Sequence, residues 1–478
     1  MPQRHLPSTS AAEAGYGRLS SAPRAAQSAP QASDRTRLSR GHVVMLIALV
    51  VGSLVLRIGF AVWLQVDHPG EARTLDTPSY VQSARALART GSFTTSVTNP
   101  LQMYFRTPGY PLFIAAIFRA TGESLIAVAV VQAIVVTSGI LVAHQIALRL
   151  YGSTVALVTA AMMAIDPLQL QSSAMLMTEG LNGLLLLVFA WATFRAFDRG
   201  RPHALAAFGM GCALMAATFV RPTTVYLPLV IGVVLVIKAF RTREWRGAWL
   251  VATALMLVPC VVGTVGWVAR NDRAVHGRSF AGIDGLSMYL YKGGGAIAED
   301  TDTDFLKVKN RLRNEFGLRK PNETQGSYYA HMYDRGVELV RQHPRGFVTS
   351  TAKGFVRETT EMQWEDRVPT PLATLLRAVG VAFIGLAVWG AVLALRRPPR
   401  TAHVIVLVLI AYVFLLSAGP ESSVRFRAPL SPLLILYAAP AVIDLVRRAW
   451  PASPPGRHRK TPTPKPESRS LTPSDRGR

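Results

Sequence analysis

Residues 105–113 read FRTPGYPLF. Arg106 and two prolines around Gly109-Tyr110 stand at the edge of apolar sequence, where a cation and a rigid turn need a reason. The apolar runs on either side recur along most of the chain. Each is near 20 residues, enough to cross about 30 Å of hydrocarbon. Half of the 478 residues are apolar and 17% are charged, against about 25% charged in ordinary soluble domains. The fold class is therefore an all-α polytopic membrane protein.

The net charge of +24 does not call for nucleic acid as a partner. The cations gather in the two tails and in short hairpins between apolar runs, as orientation in a bilayer requires. Cys212 and Cys260 lie within apolar runs, so no disulfide framework is implied.

Residues 1–41 are rich in Ala, Ser, Pro, Gln and Arg and are expected to be a disordered cytoplasmic tail; 448–478 form a second, basic one. Between them about ten transmembrane helices are predicted. They fall near 42–64, 124–148, 153–166, 174–197, 203–220, 222–240, 247–269, 370–395, 401–418 and 429–447. Arg149, FDRGR (197–201), RTREWR (241–246) and RRPPR (396–400) would face the cytoplasm. The alternate joints would face outside: 65–123, 166–167, 221–222, 270–369 and 420–427. Ten spans put both termini in the cytoplasm. The transmembrane module 42–269 would carry the first extracytoplasmic loop, 65–123, and the C-terminal module would be 370–447. Between the modules, 270–369 would be an extracytoplasmic loop domain. SYVQSARALART in the first loop, and YYAHMYDRGVELVRQH and FVTSTAKGFVRETTEMQW in the second, read as short helices.

Charges at membrane depth are costly, so those at the outer ends of the spans carry the functional signal. They are Asp76, Arg106, Asp166, Glu179, Arg221, Arg270, Arg425 and Arg427. Asp76, in LDTPSY, fits either a helix cap or a catalytic base. Arg106 fits either an interfacial anchor or a phosphate clamp at a sharp turn, with Tyr110 among the flanking aromatics. Glu179 fits either a cap or an intramembrane functional carboxylate. Arg425 and Arg427 crowd one short outer joint, against the usual charge bias, which favours an anionic partner. His331, Asp334 and His343 have only generic spacing for a metal, so no metal site is read. No cofactor is called for, and divalent metal dependence stays open.

LDTPSYVQSARALARTGSF followed by RTPGYPLF resembles the first outer loop of the GT-C glycosyltransferases. The resemblance is to the bacterial dolichyl-phosphate-mannose-protein mannosyltransferase-like branch (glycosyltransferase family 39), related to the aminoarabinose transferases of lipid A. MTEGL (177–181), FVRPTT (219–224), GWVARNDRAVHG (266–277) and VRFRAPLSPLLILYAA (424–439) follow in the family's order, so the likeness spans roughly 45–447. It implies a GT-C fold in the cytoplasmic membrane and a polyprenyl-monophosphate sugar donor, mannose or pentose-like. The acceptor hydroxyl, on a protein, lipid or glycan, would be glycosylated at the outer face. It carries the base onto Asp76 and the donor-phosphate cation onto Arg106; Arg425 and Arg427 would share the phosphate, with Glu179, Arg221, Arg270 and Tyr110 in support. Two departures stand out. Many relatives have Asp-Glu where this chain has Asp76-Thr77, and Lys-Pro where it has Arg106-Thr107-Pro108. The competing classes are an O-antigen polymerase or ligase using a diphosphate-linked glycan, a transporter, and a non-catalytic scaffold. A transporter would show repeated halves and midplane charges on broken helices, and neither is read here.

Overall fold

The computed structural model describes residues 38–98, 100–198, 201–362 and 368–450. Both expected tails fall almost wholly outside these residues, as do part of the FDRGR joint and the last two residues of FVTSTAKGFVRETTEMQW.

The elements run α1 Arg40–Asp67, α2 Thr77–Thr90, α3 Gly109–Thr121, α4 Leu125–Tyr151, α5 Ser153–Ile165 and α6 Pro167–Ala174. There follow α7 Glu179–Ala196, α8 Ala204–Val220, α9 Leu227–Arg241 and α10 Arg246–Val275. The large loop holds α11 Ile283–Leu286, a π-helix Ser287–Gly293, α12 Gly294–Asp300, α13 Phe305–Phe316, α14 Gln325–Gln342 and α15 Pro344–Thr360. The chain closes with α16 Thr370–Leu395, α17 Arg400–Ser417, the single turn α18 Val424–Arg427 and α19 Ser431–Ala449. Among the described residues no strand forms, and an isolated bridge joins Thr94 and Gln102.

Every expected span has a helix at its place. Seven helices among the described residues are long and apolar enough to cross a membrane, and an eighth span arises if α5 and α6 count as one. The sequence reading needs three corrections. The joint at 166–167 is not a loop: α6 continues α5 after a bend of 51°. The apolar stretch after Arg106 is a separate 13-residue helix, α3, packed on α2 and α4. The large loop contains more helix than its two expected segments, because α12 and α13 precede α14 and α15.

The bend in α5–α6 has a local cause and a distant repair. Pro167 has no N–H, so the Met163 carbonyl four residues earlier loses its helical donor. Arg57, fully buried on α1, supplies one: its Nη2 donates to Met163 O at 2.7 Å. Leu168 N turns to Asp166 Oδ1 at 3.2 Å, and Ser53 Oγ donates to Ala164 O at 3.4 Å in its place. At the far end of α6, Gln65 Nε2 donates to Ala174 O at 3.1 Å. The polar residues of α1 thus follow the exposed carbonyls of the broken helix. Burying a cation without such partners would be prohibitive.

The main apolar core joins α4, α5, α7, α8, α10, α17 and α19, with Leu186, Met210, Leu214, Leu409 and Leu433 all fully buried. A second cluster gathers α1, α2, α3 and α4 around Tyr110 and Ile114. The large loop has a small core of its own, formed by Tyr289, Leu290, Val308, Leu312 and Met332. The bundle has two polar ends. At one, Arg149 pairs with Asp198, and Arg201 lies 5.4 Å over the Trp245 ring. The joints expected to face outside meet at the other.

Candidate active site

Asp76 is the residue just before α2, where a carboxylate usually caps. Its side chain makes no cap hydrogen bond. Thr77 fixes the entry instead: its Oγ1 accepts from Thr74 N at 2.9 Å and donates to Leu176 O at 3.2 Å. The Asp76 carboxylate is left facing two guanidinium groups. Arg106 Nη2 donates to Oδ1 at 2.6 Å, and Arg425 Nη2 donates to Oδ2 at 3.1 Å.

Arg106 reaches this position because α3 is pinned. Gly109 lies against the Phe219–Val220 main chain, where a Cβ would stand 2.7 Å from Phe219 O. Tyr110 next to it is fully buried and donates to Gln132 Oε1 at 2.8 Å. The RTPGYP run is therefore a helix start wedged under the end of α8. It presents Arg106 toward α2, where Nε donates to Ser79 Oγ at 3.1 Å and Nη1 to Tyr80 Oη at 3.3 Å. The guanidinium also lies 4.7 Å from the Phe105 ring and 4.8 Å from the Tyr80 ring. Such close aromatic faces favour a cation.

Glu179 opens α7 and is fully buried. Its Oε1 accepts from Arg425 Nε at 2.7 Å and from Arg221 Nη1 at 3.0 Å. Arg221 can reach it because Pro222 bars the preceding residue from the helical region. Arg221 is extended at φ −144°, ψ 118°, and its side chain leaves the end of α8 toward α7. It also lies 5.2 Å over the Phe426 ring.

Arg106, Asp76, Arg425, Glu179 and Arg221 thus form one chain of ion pairs. Four segments spread over the sequence contribute: the loop after α1 gives Asp76 and Arg106, the start of α7 gives Glu179, the end of α8 Arg221 and α18 Arg425. Three cations face two carboxylates, so the group carries a net charge of one positive. Burial pushes the Asp76 carboxyl up, but Arg106 and Arg425 outweigh it and hold the group below its ordinary value. Asp76 is therefore ionised at neutral pH. Its side chain is 35% exposed and that of Arg425 is 29%, so the network is open on that flank.

The other expected residues lie elsewhere. Arg427 is 1% exposed, and its guanidinium donates to the main-chain oxygens of Glu358, Thr359 and Glu361 at 3.2, 2.8 and 3.0 Å. It fastens the end of α15 and does not reach the ion-pair chain. Arg270 donates to Met103 O at 2.7 Å and Gln102 Oε1 at 2.8 Å, holding the strand-like part of the first loop. Asp166 caps α6 and accepts from Ser431 Oγ at 2.6 Å. His331 and His343 bond separate acids, Glu323 and Asp300, at 3.2 and 3.0 Å. Among the described residues no three His, Cys, Asp or Glu side chains group as metal ligands. Ser79 and Tyr80, which steady Arg106, were not singled out in the sequence. Their spacing from Asp76, three and four residues along a helix, is the available signal.

Comparison with known proteins bears on the fold and on part of the chain. Residues 105–267 match the family model described as dolichyl-phosphate-mannose-protein mannosyltransferase. No curated protein sequence matches the chain. The apo oligosaccharyltransferase of Archaeoglobus fulgidus superposes with a TM-score of 0.50 at 12% identity, over 85% of this chain and 51% of that one. The same organism's oligosaccharyltransferase AglB, with an inhibitory peptide and a dolichol-phosphate, gives 0.49 at 11% identity over 87% and 52%. ArnT from Cupriavidus metallidurans bound to undecaprenyl phosphate gives 0.40 at 14% identity over 82% and 78%. The chain thus spans about half the length of the oligosaccharyltransferase. Its fold is that of the GT-C glycosyltransferases, in a multi-pass membrane protein. Within that class the family match falls on the segment that begins at Phe105, one residue before Arg106.

Proposed function

We propose that the chain moves a sugar from a polyprenyl-monophosphate donor to an acceptor hydroxyl at the outer face of the cytoplasmic membrane, with both termini on the inner side. The observation that carries this reading is the open ion-pair chain with its single positive excess. A polyprenyl-phosphate sugar is a phosphodiester with one negative charge. It would neutralise these five groups, whereas a diphosphate-linked glycan would overcharge them. The family match at 105–267 supports the same donor class, with mannose or a pentose as the first sugars to try.

In this mechanism Arg106 and Arg425 bind the donor phosphate through planar, bidentate guanidinium groups. Glu179 and Arg221 hold Arg425 from behind. The acceptor oxygen attacks the anomeric carbon as the bond from that carbon to the phosphate oxygen breaks. The electron pair leaves with the phosphate, where the arginines stabilise the growing charge. The proton of the acceptor hydroxyl passes to Asp76. With its pKa held down, Asp76 is a weak base toward a resting alcohol. It accepts the proton late, once the new C–O bond has made the oxygen acidic. A single displacement inverts the anomeric centre. Asp76 is the catalytic residue, Arg106 and Arg425 the phosphate contacts, and Glu179, Arg221, Tyr80 and Ser79 the supports.

The test is turnover by the purified protein with synthetic polyprenyl-phosphate mannose and pentose, measured as release of polyprenyl phosphate and glycosylated product. Activity in the wild type that is lost in Asp76→Asn supports the reading. Activity only with diphosphate-linked glycans would replace it.

A further inference from the structure

Arg425 stands just beyond a loop, residues 418–423, that joins α17 to α18. The large outer loop holds that segment through its main chain. Lys292, in the π-helix, donates from Nζ to Ala418 O. Arg357 Nη2 donates to Gly419 O at 2.9 Å and to Pro420 O at 2.8 Å. Ser422 Oγ accepts from Gly419 N at 2.6 Å and donates to Ser417 O at 2.8 Å. At Gly354 of α15 a Cβ would lie 2.2 Å from Gly419 N, so helix and loop touch backbone to backbone.

Under this contact sits Glu358 of α15, with no solvent exposure. Its Oε2 accepts from Ser417 Oγ at 3.1 Å, and its Oε1 has no hydrogen-bond partner. The mechanism above does not use it. A buried carboxylate with one bare oxygen is costly and calls for an explanation. Lys292 from the π-helix and Arg221 from the end of α8 are the cations acting on it, with the Ser417 and Ser422 hydroxyls. Arg357 on its own helix turns to the loop carbonyls, and Arg427 of α18 bonds the Glu358 main-chain oxygen rather than the carboxylate.

We propose that Glu358 is a positioning residue for Arg425: its buried carboxyl, through Ser417, clamps the 418–423 loop to α15 and so seats the Arg425 guanidinium between Asp76 and Glu179. The role in donor binding rests on the proposed function; the clamp on the loop does not. Burial pushes the Glu358 carboxyl up to about 7, against the lowering pull of Ser422, Ser417, Lys292 and Arg221. An opened, solvated carboxyl returns to its ordinary value, so the closed clamp binds the proton more tightly: it closes as pH falls through neutrality and loosens as pH rises. Ionisation puts a charge on a buried carboxyl whose Oε1 has no donor to meet it, and strains the contact under the loop. Arg221 also feels the change, so the far end of the ion-pair chain is linked to the same proton.

The experiment is hydrogen–deuterium exchange of full-length protein in lipid nanodiscs, on peptides covering 415–425, corrected for the intrinsic pH dependence of exchange. Wild-type protection of this segment should fall by about three- to tenfold as pH rises from about 5.5 to 8.5, the worth of one hydrogen bond. Glu358→Gln, a neutral isostere that cannot ionise, should show the high protection at every pH, while Glu358→Asp should keep a pH step. A flat wild-type profile overturns the proposal, and so does Glu358→Gln whose protection falls with rising pH as the wild type's does. The wild-type titration needs no variant, so misfolding of Glu358→Gln cannot hide the answer. A parallel assay with polyprenyl-phosphate sugar should show the donor KM rising with loss of protection while kcat holds. An exchange step without a KM change overturns the link to Arg425. If the wild type turns over no such donor at any pH, the functional reading fails by itself, and the exchange step still decides the clamp.

Discussion

Arg425 and Asp76 are bonded across 349 positions of sequence, Nη2 to Oδ2 at 3.1 Å, and the same guanidinium holds Glu179 through Nε at 2.7 Å. One side chain thus ties the loop after α1, the start of α7 and the turn before α19. Asp76 is shared between Arg425 and Arg106. Asp76→Asn keeps the shape and removes the charge. It should cut turnover by about 10²-fold or more, the usual worth of a general base, while the protein still folds and binds donor. Turnover and donor binding on one preparation check this. Because the two arginines hold Asp76 ionised, its contribution to stability is present above the ordinary carboxylate range and is lost only in strong acid. The pH–rate profile should therefore show no acid limb from Asp76 near neutrality.

Arg106 separates a clamp from an anchor. An anchor needs only charge and length, and Arg106→Lys would satisfy it. A phosphate clamp needs the planar fork. The expected result is graded: Lys partly active, Gln nearly inactive, both expressed normally. Donor affinity in Arg106→Gln should fall by roughly 1.5–3 kcal/mol, the scale of a hydrogen bond to a charged group. Unchanged donor binding in Arg106→Gln would leave the 105–113 turn with a purely structural role.

Arg427 should behave differently from Arg425 despite lying two residues away. Its three main-chain acceptors tie the end of α15. Arg427→Gln strands buried carbonyls at about 1–3 kcal/mol each, so thermal stability should drop markedly. Donor affinity of the protein that remains folded should match the wild type. Arg425→Gln should show the reverse pattern. Melting temperature and donor binding, measured for both variants, distinguish the two.

The pairing of Arg57 with the Pro167 break makes a double-mutant cycle informative. Arg57→Leu alone leaves Met163 O without a partner, which should destabilise by about 1–3 kcal/mol. Pro167→Ala restores an N–H four residues after Met163. In that background the cost of Arg57→Leu should shrink by about 1 kcal/mol or more. Equal costs in both backgrounds would mean that Arg57 serves another group.

Single cysteines report which side each joint faces. Substitutions at Ser92 and Ala330 should react with an impermeant reagent on intact cells, while those at Arg243 and Arg396 should react only after lysis. All four positions are exposed in the structure. Labelling at 330 only after lysis would place the large loop inside and end the proposed outer-face mechanism.

The helices were legible because long apolar runs punctuated by Gly152, Pro222 or paired arginines leave little choice. The α5–α6 bend was not, because Pro167 reads equally as a joint or a kink. The groups that make a kink tolerable, Arg57 and Ser53, lie on another helix. α3 was hidden for a similar reason: 13 residues starting with Gly-Tyr-Pro become a helix by packing on α2 and α8, which no local pattern announces. The charges of the ion-pair chain were legible one by one, since each stands beside a proline or a span end. Their mutual pairing was not. Nor did the sequence separate Arg425 from Arg427: the turn of α18 alone decides which faces the network and which turns to α15.

Arg57 also constrains how the protein is made. α1 leaves the ribosome before α4 and α5, and only 11% of its apolar window is covered in the finished fold. Until α4 and α5 are synthesised, its guanidinium has neither Thr137 nor Met163 to bond. An arginine at the centre of a lone helix costs about 2.5–3.5 kcal/mol to insert. The nascent helix should therefore linger at the translocon or among insertion chaperones, and pass into lipid only as a hairpin with its later partners. Biogenesis would then be ordered by a single side chain, and a ribosome stalled before residue 163 should leave α1 crosslinkable to the insertion machinery.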